Sequence, residues 1–173
     1  MAKAAKPVPE GYHTITPQLT LDNAAQTIDW YKKALGAEEI DRSVGPDGKI
    51  MHAELKIGDS RFMVNDVMMG SRGPQAFGGS PASLWVYVDN SDTLYNRAIG
   101  AGAKPQMPMA DQFWGDRAGA VSDPAGYTWW LATRKEDLTK DEIQQRAAEF
   151  FKQMAHQAPK TVLAKNRTAE KRQ

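Results

Sequence analysis

Leu84-Trp85-Val86-Tyr87-Val88-Asp89-Asn90-Ser91 decides the fold, because the same pattern stands earlier in the chain. Side chains alternate along a strand, so Leu84, Val86 and Val88 share one face, and Ser83, Trp85 and Tyr87 share the other. The run ends in a short polar cap. An earlier alternating run, His13 to Leu21, likewise enters Leu21-Asp22-Asn23-Ala24, which marks an internal repeat. Each copy continues into a helix closed by Gly-Ala, at Gly36-Ala37 and at Gly102-Ala103.

Outward from the caps, the pattern predicts two βαβββ modules. In the first, Asn23 caps a helix with the stripe Ala24, Ile28, Tyr31 and Leu35, and Gln26 stands in capping-box register. Strands follow at Glu38 to Ser43, Met51 to Ile57 and Ser60 to Asp66, split by turns at Pro46-Asp47-Gly48 and Gly58-Asp59. In the second, Leu94, Ala98 and Ile99 face inward, and strands follow at Met107 to Met109, Arg117 to Val121 and Tyr127 to Ala132. The expected organisation is an arm at 1–11, modules at 12–66 and 82–134 with a linker at 67–81, a helix at 135–157 and a disordered basic tail at 158–173. The fold class is α+β, with curved mixed sheets around a cavity.

The helix follows from the Thr139-Lys140-Asp141-Glu142 capping box and the stripe Ile143, Ala147, Phe150, Phe151 and Met154. Such a stripe docks on its own domain, on a twofold mate or on a partner helix. The tail, from Lys160 to Gln173, has no apolar period.

A net charge of +1 from 22 basic and 21 acidic residues gives no global pull toward nucleic acid or membrane. The sequence has no cysteine, which removes thiolate nucleophiles and Cys-ligated metal sites. No apolar run is long enough to span a bilayer, no h-region follows Lys3 and Lys6, and a cytoplasmic protein is expected. No P-loop, GxSxG elbow, HExxH or dinucleotide glycine pattern is present.

Four stretches, Ile28-Asp29-Trp30-Tyr31-Lys32-Lys33-Ala34-Leu35-Gly36-Ala37, Met51-His52-Ala53-Glu54-Leu55, Asp111-Gln112-Phe113-Trp114-Gly115-Asp116-Arg117 and Ser122-Asp123-Pro124-Ala125-Gly126-Tyr127, carry a family resemblance. With the tandem modules over residues 11 to 134, they resemble the vicinal oxygen chelate superfamily of glyoxalases, bleomycin-resistance proteins and dioxygenases, and its PhnB-like branch. The resemblance implies a homodimer and a cavity where catalytic relatives hold a divalent metal on four strands. By position those ligands fall at Thr16, Met63, Ser83 and Trp130. None offers imidazole or carboxylate, so no metal and no cofactor is expected. The implied function is metal-independent binding of a small molecule in an aromatic and polar cavity. The alternative is a glyoxalase- or dioxygenase-like lyase or isomerase, using a displaced metal or a base. An interaction module working through the C-terminal helix is a third reading.

Alternation puts His52, Glu54 and Lys56 on one strand face and Arg61, Met63 and Asn65 on the next, with Thr16, Gln18, Trp85, Tyr87, Thr128 and Trp130 toward the same cavity. His52 and Glu54 read either as a base held in one tautomer by a carboxylate or as a polar strand face. Ser83, Trp85, Tyr87, Trp114 and Trp130 read as ligand-binding walls or as core. Asp116 and Arg117 read as an anion clamp or as an internal salt bridge.

Overall fold

The strand alternations and helix stripes build two four-stranded sheets in a computed structural model that describes residues 6–157. The first sheet has the order β1-β4-β3-β2, from β1 (Gln18–Leu21), β2 (Glu38–Val44), β3 (Ile50–Ile57) and β4 (Ser60–Asp66), with α1 (Ala24–Leu35) between β1 and β2. The second repeats it as β5-β8-β7-β6, from β5 (Ser83–Tyr87), β6 (Lys104–Asp111), β7 (Asp116–Ser122) and β8 (Thr128–Arg134), with α2 (Ser91–Gly100) after β5. In each sheet the first and last strands of the module run parallel. The segment 67–81 contains a 3-10 turn at Pro74–Phe77, with proline where a missing N–H costs nothing. The helix expected near the C-terminus is α3 (Lys140–Gln157), and the basic tail lies outside the described residues.

Two boundaries need correction: the helix expected from residue 135 begins at Lys140, and the first strand starts late. The strand expected from His13 begins only at Gln18. Thr16 turns its hydroxyl back to the His13 carbonyl at 3.1 Å, and Pro17 has no N–H to give a ladder. The Pro17 carbonyl still accepts from the Met63 N–H at 2.8 Å, so pairing starts there.

The stripe of α1 is buried as its spacing requires: Ala24, Ile28, Tyr31 and Leu35 lie in one core with Leu19, Leu21, Ala53, Leu55, Phe62 and Val64. Each fully buried Leu, Ile, Val or Phe is worth about 1.5–3 kcal/mol. Both helices are capped as the sequence predicts, Asn23 accepting from the Gln26 N–H and Asn90 from the Thr93 N–H. Their far ends are finished crosswise. The Trp30 indole donates to the Ala101 carbonyl just past α2, and the Arg97 guanidinium donates to the Lys32 and Lys33 carbonyls at the end of α1. Those carbonyls lack intrahelical partners, and a cation there also suits the helix dipole.

Two buried carboxylates pin the fold. Asp66 accepts from the Ala24 N–H at 2.8 Å and the Ile50 N–H at 2.7 Å, tying the first turn of α1 to the start of β3. Asp123, in the Asp-Pro-x-Gly turn, accepts from the Tyr31 hydroxyl at 2.7 Å, the Trp129 indole at 2.9 Å and the Tyr127 N–H at 2.8 Å.

The chain divides into two compact units, Met1–Ala110 with Ala118–Thr133, and Asp111–Arg117 with Arg134–Gln173. Inside the second, Phe113 packs on Phe150 and Phe151, with ring centroids 5.5 and 6.1 Å apart. Phe150, Phe151 and Met154 nevertheless remain exposed. The Gly115 carbonyl accepts from the Lys135 and Glu136 N–H groups, and φ there is +96°. A Cβ on Gly115 would stand 2.8 Å from the Glu136 carbonyl, so both dihedral and space demand glycine. The capping box of α3 forms: Thr139 N–H donates to Glu142, whose own N–H donates to the Thr139 hydroxyl. Among the described residues, no helix is long and apolar enough to cross a membrane.

Candidate functional site

The face of the first sheet away from α1 carries the polar residues that alternation assigns to it. The register sets Glu54 and Gln18 against Met63, and Lys56 against Arg61, so their side chains share that face. Across it runs a polar line. His52 Nε2 stands 3.8 Å from Glu54 Oε1, and Glu54 Oε2 accepts from Arg61 Nη1 at 3.2 Å. The Arg61 guanidinium lies over the Tyr12 ring, 5.3 Å from its centroid. A distance of 3.8 Å exceeds hydrogen-bond reach, so Glu54 does not hold the imidazole in one tautomer here. Its closer partner is Arg61.

The second sheet contributes aromatics. Trp85 and Trp130 are cross-strand partners and stack in parallel, with centroids 4.7 Å apart and an interplanar angle of 0°. Tyr87 continues the stack at 6.1 Å and 27°. Trp85 is 42% and Tyr87 60% exposed, so this is not sealed core. Trp129, one residue along, turns to the opposite face and is buried, as alternation requires. A groove of about 550 Å³ is lined by His13, Ile15, the β3–β4 turn with Arg61 and Phe62, the segment from Ser83 to Val88, and Trp129.

The register shows which residues stand beside the positions that the resemblance implies. Gln18, and not Thr16, stands across from Met63, because Thr16 precedes the ladder. Trp85, and not Ser83, stands across from Trp130; Ser83 pairs with Thr128. Neither the side chains of Thr16, Met63, Ser83 and Trp130 nor those of Gln18 and Trp85 beside them suit a divalent metal. Among the described residues, no three His, Cys, Asp or Glu side chains are grouped to hold one. The residues therefore do not fit the metal of catalytic relatives.

Asn65 shares the Met63 face, but both ends of its amide are used within the fold. It accepts from Gln18 at 2.9 Å and donates to the Asp66 carbonyl at 2.8 Å. Trp114, Asp116 and Arg117 belong to the second unit, whose own pocket of about 390 Å³ includes Asp116, Arg117, Lys135 and Glu136. Arg117 forms an internal salt bridge with Asp111 at 3.2 Å, while buried Asp116 accepts from the Trp114 indole at 2.9 Å. One residue of the polar line, Tyr12, was absent from the sequence-based reading, and another, Arg61, was placed on the cavity face without a role. Arg61 carried the alternation signal, since it shares a face with Met63. Tyr12 carried none, because it precedes the first strand and reaches Arg61 only through the fold.

Residues 12–131 match the family model of the Glyoxalase/Bleomycin resistance protein/Dioxygenase superfamily. The chain is 41% identical over 135 residues to the uncharacterized protein Rv0887c of Mycobacterium tuberculosis, a match covering 75% of this chain and 79% of that protein. Among solved structures, TioX from Micromonospora sp. ML1 superposes with a TM-score of 0.57 at 25% identity, covering 73% of this chain and 100% of TioX. The PhnB protein from Bacillus cereus superposes with a TM-score of 0.55 at 19% identity, covering 70% of this chain and 99% of that one.

Proposed function

Because the chain belongs to the Glyoxalase/Bleomycin resistance protein/Dioxygenase superfamily, we propose that it is a small-molecule-binding protein that holds a flat ligand against aromatic rings without a metal. The partly exposed stack of Tyr87, Trp85 and Trp130 carries this reading. Rings held in register by strand pairing present apolar area that loses little entropy when a planar molecule docks. The adjoining groove lies in the size range of ligand pockets, roughly 300–1,000 Å³.

A neutral planar probe, 2-naphthamide, tests the reading by titration calorimetry on protein dialysed against chelator. Binding should survive dialysis and weaken roughly ten-fold in Trp85→Ala, which removes about 1–1.5 kcal/mol of ring contact. Affinity that vanishes with the chelator, or turnover of a substrate that falls in His52→Ala, would replace this reading with a metal- or base-dependent enzyme.

The reading includes pairing of two copies, supported by apolar side chains left exposed on both sheets, Ile40, Val44 and Met51 on the first and Met107 on the second. A single-chain mass in sedimentation equilibrium at micromolar concentration would remove it.

A further inference from the structure

Arg61 is held in place but not saturated. A guanidinium carries five N–H donors. Among the described residues one of them is used, Nη1 to Glu54, although the side chain is only 24% exposed. Gly11 packs directly against the group, since a Cβ there would come within 2.7 Å of Nε and 2.9 Å of Nη2. Beside it the Tyr12 hydroxyl is buried and, among the described residues, has no partner within hydrogen-bond geometry, although Glu54 and Arg61 both lie close to it. Burial first, and the neighbouring Glu54 carboxylate next, push the Tyr12 phenol above its ordinary value of 10.0, so it stays a protonated donor. Among the described residues no Arg61 nitrogen is a buried atom that lacks a partner, so its remaining donors are open to solvent and to a ligand that displaces it. Glu54 offsets the charge yet takes only one donor, which leaves the geometry of the fork intact.

Arg61 lines the same groove as Trp85 and Tyr87. We propose that the ligand is a planar aromatic acid, whose ring lies on the tryptophan stack while its anionic group takes the open donors of Arg61. This rests on the aromatic-platform reading above and narrows it to a ligand class. Arg61 then determines specificity, and Glu54 positions it.

The test compares two near-isosteric probes, 2-naphthoate and 2-naphthamide, by titration calorimetry on the full chain, in wild type, Arg61→Gln and Arg61→Lys. Wild type should prefer the acid by roughly ten-fold or more, the usual worth of a hydrogen bond to a charged group. Arg61→Gln should abolish the preference, with the affinity for naphthoate falling further than that for naphthamide. Arg61→Lys, which keeps the charge without the fork, should retain part of it. Unchanged thermal unfolding of the variants shows that they are folded. Equal affinities in wild type, or a preference that survives Arg61→Gln, would overturn the proposal and leave the platform standing. Binding of neither probe would overturn both.

Discussion

Replacing Asp123 with Ala lowers the stability of the fold by about 3–5 kcal/mol, measured by urea denaturation, because two buried donors and a half-buried one lose their acceptor together. The carboxylate, 3% exposed, gathers the Tyr31 hydroxyl from α1, the Trp129 indole from β8 and the Tyr127 N–H from its own turn. The indole and the amide cannot turn into acceptors, so Asp123→Asn is also destabilising, since its NH2 would face donors. A loss below about 1 kcal/mol in the Ala variant would mean that water enters and replaces the carboxylate. Burial raises the pKa of Asp123 above its ordinary 3.8, against the opposing pull of Trp129, Tyr31 and Tyr127. The sign follows from linkage: the unfolded chain releases this proton first as pH rises. The advantage of wild type over Asp123→Asn is therefore fullest below the unfolded value and declines as pH rises through the folded one. An advantage that grows over that interval would contradict the direction of the shift.

Asp66→Ala is the second large effect, at about 2–4 kcal/mol, because two buried amides are orphaned at once. One is the Ala24 N–H in the first turn of α1 and the other the Ile50 N–H at the head of β3. Hydrogen exchange separates this from a general loss of packing. Protection should fall first at Ala24 and Ile50, whereas a uniform fall across the core would show that Asp66 acts only through global stability.

Both carboxylates show where sequence reading stops. Asn23, Asn90 and Thr139 were legible because a cap bonds a neighbour a few residues away, and the strand faces were legible because alternation is local. Ala53, Leu55, Phe62 and Val64 accordingly lie inward. The Tyr31 to Asp123 bond spans 92 positions, and no local period announces it. The same holds for Tyr12 with Arg61. Cross-strand partners, Gln18 with Met63 and Trp85 with Trp130, were not legible either, since alternation gives the face but not the partner. The partner of Arg117 was not legible for a related reason: Asp111 stands six positions away across the turn, where no local period points to it.

The crosswise finish of the two helices also bears on how the protein is made. The last carbonyls of α1 receive their donors from Arg97, and the end of α2 receives its donor from Trp30. A ribosome emits the first helix long before the second, so the first half of the nascent chain carries an unfinished helix end until Arg97 has left the exit tunnel. Translation order thus makes the earlier repeat wait for the later one, and the duplicated halves reach their final form together.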